Sequence, residues 1–140
     1  MITKTGSAKW QGAIKDGKGE VSTQSSALSS QPYGFATRFE DKPGTNPEEL
    51  IGAAHASCFA MALSKELQEA GVTDVTIEAS SAISMDKDGD GFAIKTAALT
   101  ATVTGNGDRD AIRKAAEGAK SGCPVSKLLN ADVTLDLKIA

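Results

Sequence analysis

The chain is 140 residues long, 24% of them charged, with 15 basic against 18 acidic side chains and a net charge of −3. One domain spanning residues 1–140 is expected at this length, and the mild acidic balance offers no basic stripe for nucleic acid. No run approaches the roughly 18–20 apolar residues of a membrane span, and "MITKTGSAKW" lacks the apolar core of a secretory signal, so a cytoplasmic protein with no membrane or nucleic-acid partner is expected.

The segment "SAKWQGAIKDGKGEVSTQS" reads as a hairpin, with Asp16 and Gly17 as a two-residue turn whose central positions need positive φ. Trp10 and Ile14 then share one face of its first arm. The pattern breaks over residues 28–43, where "QPYG" is turn chemistry. "FATRFE" reads as a short strand that sets Arg38 among apolar neighbours, with its stem packed and its head in water. "TNPEEL" then carries the signals of a helix start. Asn46 can cap, Pro47 fits the first turn, and Glu48 and Glu49 complement the positive end of the helix dipole. The helix is predicted to run to about residue 70 and to stop at Gly71. Over residues 50–63 it is small or apolar on nearly every side, which predicts burial all round, before "SKELQEA" turns polar.

"TDVTIEASSAISM" alternates, with Val75, Ile77, Ala79, Ile83 and Met85 on one face, as a half-buried antiparallel strand does. "DKDGDG" is its turn, and residues 92–103 return as a strand whose phase shift near Thr96 reads as a bulge. "DRDAIRKAAEGAKSG" predicts a second helix, capped by Asp108, with Ile112, Ala115, Ala116 and Ala119 in one stripe. "CPVSKLLN" opens a third, short helix with Pro124 at its first position. "DVTLDLKIA" closes as a strand with Val133, Leu135, Leu137 and Ile139 on one side. Hairpins mixed with helices make an α+β fold with antiparallel sheets rather than a βαβ repeat.

Asp86, Asp88, Asp90 and Gly91 match the first half of a calcium loop, but its twelfth position is Ala97 where a bidentate Glu is needed, and the flanks are strands. Cys58 and Cys123 are too few for a secreted disulfide scaffold. Zinc takes about four ligands, and these two with His55 supply three at most, so no metal is expected. His55 and Cys58 are neighbours on one helical face. A Cys–His pair can make a nucleophile, although no third orienting group is evident. Cys123 falls at the N-cap of a short helix, which favours a thiolate. Cys58 lies mid-helix and needs an external cation, for which Arg38 is the obvious source. The residues taken alone leave thiol redox chemistry and two inert core cysteines both standing.

"TNPEELIGAAHASCFAMALS" and "GCPVSKLL" strongly resemble the OsmC/Ohr family of hydroperoxide peroxidases, and "QPYGFATRFE" is similar to its OsmC branch. The resemblance runs over essentially the whole chain. It implies an OsmC/Ohr-like α+β fold, with antiparallel sheets around a long buried central helix, in an intertwined homodimer with two active sites at the subunit interface. It further implies a thiol peroxidase without metal, haem or other cofactor. Cys58 would be peroxidatic and Cys123 resolving, Arg38 would stabilise thiolate and peroxide, and Glu48 would orient Arg38. The product would be a Cys58–Cys123 disulfide, reduced by an external dithiol or lipoyl-type reductant. Apolar surroundings from Leu50, Phe59 and Met61 would favour organic hydroperoxides over hydrogen peroxide.

A helix sets a condition on that site. Glu48 and Cys58 are ten residues apart, so roughly 15 Å along one axis and roughly 80° apart around it. If Arg38 contacts both, Glu48 is expected from the partner subunit across a two-fold interface. Two rival classes make different demands. An acyl-transfer hydrolase would need His55 on Cys58, and a structural protein would need inert thiols.

Overall fold

The structure, a computed structural model, describes residues 1–140. Its backbone gathers into two compact units, Met1–Leu50 and Ile51–Ala140.

In the first unit, strands β1 (Gly6–Gln11), β2 (Lys18–Thr23) and β3 (Gln31–Tyr33) form an antiparallel sheet in that order. The predicted hairpin is there, but its turn is not the two-residue Asp16-Gly17. Gln11 pairs with Lys18, so residues 12–17 make the loop and Ile14 lies in it rather than on the arm beside Trp10. Gly12 ends the strand early at φ +96°, a conformation that glycine takes at little cost. Gly17 then donates its N–H to the Ala13 carbonyl at 2.8 Å.

"FATRFE" is a second correction. It forms a one-turn helix, α1 (Phe35–Phe39), not a strand. The Gly34 N–H donates to the Thr37 hydroxyl at 2.9 Å, and that hydroxyl donates back to the Gly34 carbonyl at 3.0 Å. Such side-chain bonds to the backbone compete with a strand ladder, which the alternation of apolar residues cannot reveal.

Helix α2 (Pro47–Glu69) starts and stops where its signals stand. Asn46 Oδ1 accepts from the Glu49 N–H at 2.8 Å. At the far end Gly71 adopts φ +78°. Val72 N–H donates to the Leu67 carbonyl at 2.9 Å, and Gly71 N–H to that of Gln68 at 3.1 Å, the paired closure of a glycine-terminated helix. The second unit holds most of α2 with β4 (Thr73–Asp88), β5 (Gly91–Asn106), α3 (Arg109–Gly122), α4 (Pro124–Leu128) and β6 (Asp132–Ile139). Its sheet has the order β4-β5-β6.

The β4–β5 hairpin turns at Gly89 and Asp90, between the paired Asp88 and Gly91. The aspartates of the half calcium loop thus serve a turn. The bulge falls as expected. Ser84 faces Thr96 and Met85 faces Ile94, which leaves Lys95 as the extra residue. The antiparallel expectation fails at β6, which runs parallel to β5. A parallel neighbour needs a long crossover, and α3 with α4 provides it. The shared α3 stripe of Ile112, Ala115, Ala116 and Ala119 is buried, and Asp108 caps the helix through the Ala111 N–H at 3.0 Å.

Buried Leu99, Ala101 and Val103 of β5 pack with the α3 stripe and with Phe59, Leu63 and Leu67 of α2. The predicted all-round burial of α2 is not found within the chain. Gly52, His55, Phe59, Leu63 and Leu67 form one buried stripe, while Met61 is 79% exposed. At Gly52 the helix comes so close to β4 that a Cβ would lie 2.7 Å from the Ser81 carbonyl oxygen. That approach brings His55, one turn on, against the inner face of β4.

Candidate active site

Cys58 projects from the middle of α2 and is half-buried, whereas Cys123 is completely buried between α3 and α4. Cys123 ends one helix and begins the next. Its N–H donates to the Ala119 carbonyl at 3.0 Å, and its own carbonyl accepts from the Lys127 N–H at 3.1 Å. Pro124 at the first position of α4 enforces that break, since it continues no ladder behind it.

The two thiols stand close enough for each to shift the other's ionisation. Burial pushes the Cys58 thiol above its ordinary value of 9.0, and Cys123 adds to that push against the Val125 amide. Cys123 goes the other way. Burial resists its ionisation, but the Cys58 thiol, the amide and hydroxyl of Ser126 and the Val125 amide together carry it below 9.0. No side-chain cap of full hydrogen-bond geometry closes at Cys123, so the amides act by proximity and dipole. The two thiols therefore titrate as one interacting pair, with Cys58 pushed up and Cys123 down from the ordinary value.

His55 does not serve Cys58. It is fully buried, with Nδ1 2.7 Å from Ser81 Oγ and Nε2 2.8 Å from Ser126 Oγ. Both ring nitrogens are therefore taken by serine hydroxyls, which removes the hydrolase geometry and leaves His55 without a free lone pair for a metal. Burial lowers its pKa from the ordinary 6.5. The folded state thus prefers neutral imidazole, while the unfolded chain gains a proton below 6.5. Stability is expected to hold above that value and to fall below it, until the folded pKa is reached, with a slope of up to ~1.4 kcal/mol per pH unit for one proton. Urea denaturation midpoints between about pH 7 and about pH 5 test this alongside imidazole titration by NMR. An imidazole that titrates at or above 6.5 in the folded protein contradicts it.

Arg38 and Glu48 meet in the first unit. Arg38 Nη2 and Nε donate to Glu48 Oε1 at 2.8 and 3.0 Å, in a fork on one carboxylate. Asn46 fixes both ends of this pair. Its Nδ2 donates to the Thr37 carbonyl of α1 at 3.1 Å while its Oδ1 caps α2. The guanidinium also sits 5.3 Å from the centroid of the Phe39 ring. Glu48 is expected from the partner subunit only if one Arg38 also contacts Cys58, and here Arg38 pairs with the Glu48 of its own chain. One turn of α1, unseen in the sequence, turns Arg38 toward Glu48.

A cavity of ≈ 240 Å³ beside Arg38 is lined by Trp10, Ile14, Tyr33, Phe35 and Phe39. Phe59 belongs to the core at 0% exposure and cannot touch a ligand. Sequence reasoning also missed Ser81 and Ser126. A signal existed for the first, since Ser81 falls on the inward phase of β4 between Ala79 and Ile83. No group of three or more His, Cys, Asp or Glu side chains is arranged to hold a metal ion, and no helix is long and apolar enough to cross a membrane.

A profile of OsmC-like proteins matches residues 39–138. Peroxiredoxin OsmC of Escherichia coli is 53% identical over 99% of this chain and 97% of its own. The chain belongs to the OsmC-like family. The Bacillus subtilis organic hydroperoxide resistance protein OhrB is 33% identical over 71% of this chain and 74% of its own. Its crystal structure superposes with a TM-score of 0.70, covering 96% of this chain and 98% of that one. The α+β architecture is therefore that of OsmC and Ohr structures, and family membership at this identity makes the chain a peroxidase by enzyme class.

Proposed function

We propose that the protein reduces organic hydroperoxides in preference to hydrogen peroxide, with Cys58 peroxidatic and Cys123 resolving, in oxidative or osmotic stress defence in the cytoplasm. The observation that carries this reading is the pairing of a half-buried thiol with a completely buried one. Peroxide must reach the sulfur that it oxidises. Cys58 is open to it and Cys123 is not, so access assigns the roles that acidity alone would reverse.

Cys58 attacks as thiolate. An S–O bond forms, the O–O bond breaks, and two electrons pass from sulfur to the peroxide. Cys58 becomes a sulfenic acid and the alkoxide takes a proton to leave as alcohol. Positive charge from Arg38 favours the Cys58 thiolate, and its N–H groups stabilise the leaving alkoxide. Glu48 holds the guanidinium in its fork. Because Arg38 closes on Glu48 of its own chain, and Glu48 stands ten helical residues from Cys58, roughly 15 Å, the pair is assigned to Cys58 of the partner subunit in a two-fold homodimer. The exposed small-residue faces of α2 support such an interface, since they allow close approach of a second copy.

Cys123 then closes the disulfide, which an external dithiol or lipoyl-type reductant reopens by exchange. No bound cofactor enters the cycle. The aromatic cavity beside Arg38 suits an organic substituent rather than a bare hydroxyl. With excess dithiothreitol, kcat/KM for cumene hydroperoxide is expected to exceed that for hydrogen peroxide by about tenfold or more, as burying a few apolar groups allows. Equal values would contradict the substrate preference.

A further inference from the structure

The thiol pair does not end at Cys123. A line of hydrogen-bonding groups runs from it through unit Ile51–Ala140, across Ser126, His55 and Ser81. Each comes from a different element or turn. Ser126 stands three residues beyond Cys123 on α4, His55 on the buried stripe of α2, and Ser81 on the inner face of β4. Ser126 is 9% exposed and His55 is 0% exposed, so bulk water has little part in the line.

The donor directions follow from what each group can do. For the Ser126 hydroxyl to donate to the Cys123 sulfur, its oxygen must accept from the ring, so Nε2 carries the proton. Nδ1 then accepts from the Ser81 hydroxyl. This polarises the whole line toward sulfur. The reverse tautomer would aim the Ser126 hydroxyl at the ring and away from Cys123. Ser81 selects the tautomer, and His55 the direction of Ser126.

We propose that His55, held between Ser81 and Ser126, is a positioning residue for the resolving step, where it turns the Ser126 hydroxyl onto Cys123 and so stabilises the thiolate that attacks the Cys58 sulfenic acid. The inference rests on the thiol-peroxidase reading above. In the step itself, the Cys123 sulfur forms the S–S bond while the S–O bond on Cys58 breaks. The Cys58 sulfur is reduced, the Cys123 sulfur is oxidised, and the proton that Cys123 loses ends on the departing hydroxide as water. The titratable group that faces Cys123 is Cys58 from α2, and His55, also from α2, faces it through Ser126.

The test follows resolution directly. Reduced protein receives one equivalent of cumene hydroperoxide without reductant, is quenched in acid at intervals, and its intact mass is read. The species gaining one oxygen decays to the disulfide. Ser126→Ala is expected to slow that decay about tenfold near neutral pH, the factor of one hydrogen bond to a charged group, and to move its pH–rate profile to higher pH. Ser126→Thr keeps the hydroxyl and restores the rate. Ser81→Ala, remote from both sulfurs, slows decay in the same direction because it acts only through His55. It also supplies the test should Ser126→Ala fail to fold. Wild-type decay rates and an unshifted profile in Ser81→Ala overturn the inference, whatever Ser126→Ala does. A wild-type protein that gains neither oxygen nor disulfide overturns the peroxidase reading beneath it, and the two failures are thereby distinct.

Discussion

Cys58→Ser is expected to reduce hydroperoxide turnover to background, a loss of about a thousandfold or more against an enzyme-catalysed step. A serine hydroxyl is not ionised near neutral pH and is a poor nucleophile toward O–O, so no sulfenic acid can form. Cys123→Ser is expected to behave differently. Its Cys58 still reacts, but without a neighbouring thiol the sulfenic acid persists and is driven on to sulfinic acid by further peroxide. Turnover then depends on direct reduction by small thiols and fades as over-oxidised protein accumulates. The contrast between a silent variant and a self-inactivating one separates the two roles more sharply than either loss alone. If Cys123→Ser is the silent one, the buried and more acidic sulfur is the nucleophile, and the assignment from access is reversed.

Arg38→Ala is expected to lower kcat/KM about a hundredfold to a thousandfold, the range for removing one preorganised charge or donor from a developing anion. Arg38→Lys should recover little of it. Lysine keeps the charge but lacks the fixed pair of N–H groups that Arg38 brings together on Glu48 Oε1 at 2.8 and 3.0 Å. Glu48→Gln keeps the volume and removes the charge that holds the fork. A milder loss of about tenfold is expected, carried by kcat, because the arginine remains but is less well aimed. The alkylation rate of Cys58 against pH is the companion measurement. Loss of Arg38 should move it to higher pH, since an adjacent cation lowers a thiol pKa. An unmoved profile would show that Arg38 acts on peroxide alone.

The sequence was most readable where chemistry is local. Asn46, Pro47 and Gly71 mark the ends of α2, Asp108 marks the start of α3, and the phase slip near Thr96 marks the bulge at Lys95. It was least readable where a residue's partner lies far along the chain. The parallel pairing of β6 depends on where α3 and α4 return the backbone, which alternation along β6 cannot encode. The single turn at α1 was hidden because a Thr37 hydroxyl, not periodicity, creates it. Both thiols, Arg38 and Glu48 could be singled out from the chain by motif. That His55 binds Ser81 and Ser126 instead of Cys58 could not, because those partners lie 26 and 71 residues away. The small-residue helix shows the same division. Its apolarity was plain, yet only one stripe of it is buried within the chain.

The most direct test of the thiol-peroxidase account is the intact mass of fully reduced wild-type protein after one equivalent of cumene hydroperoxide, with no reductant present. The account predicts the loss of two hydrogens, with peptide mapping that joins Cys58 to Cys123, and full recovery of the starting mass on addition of a dithiol. An unchanged mass with both thiols still free would contradict it, and would return Cys58 to the role of a packing residue in its helix.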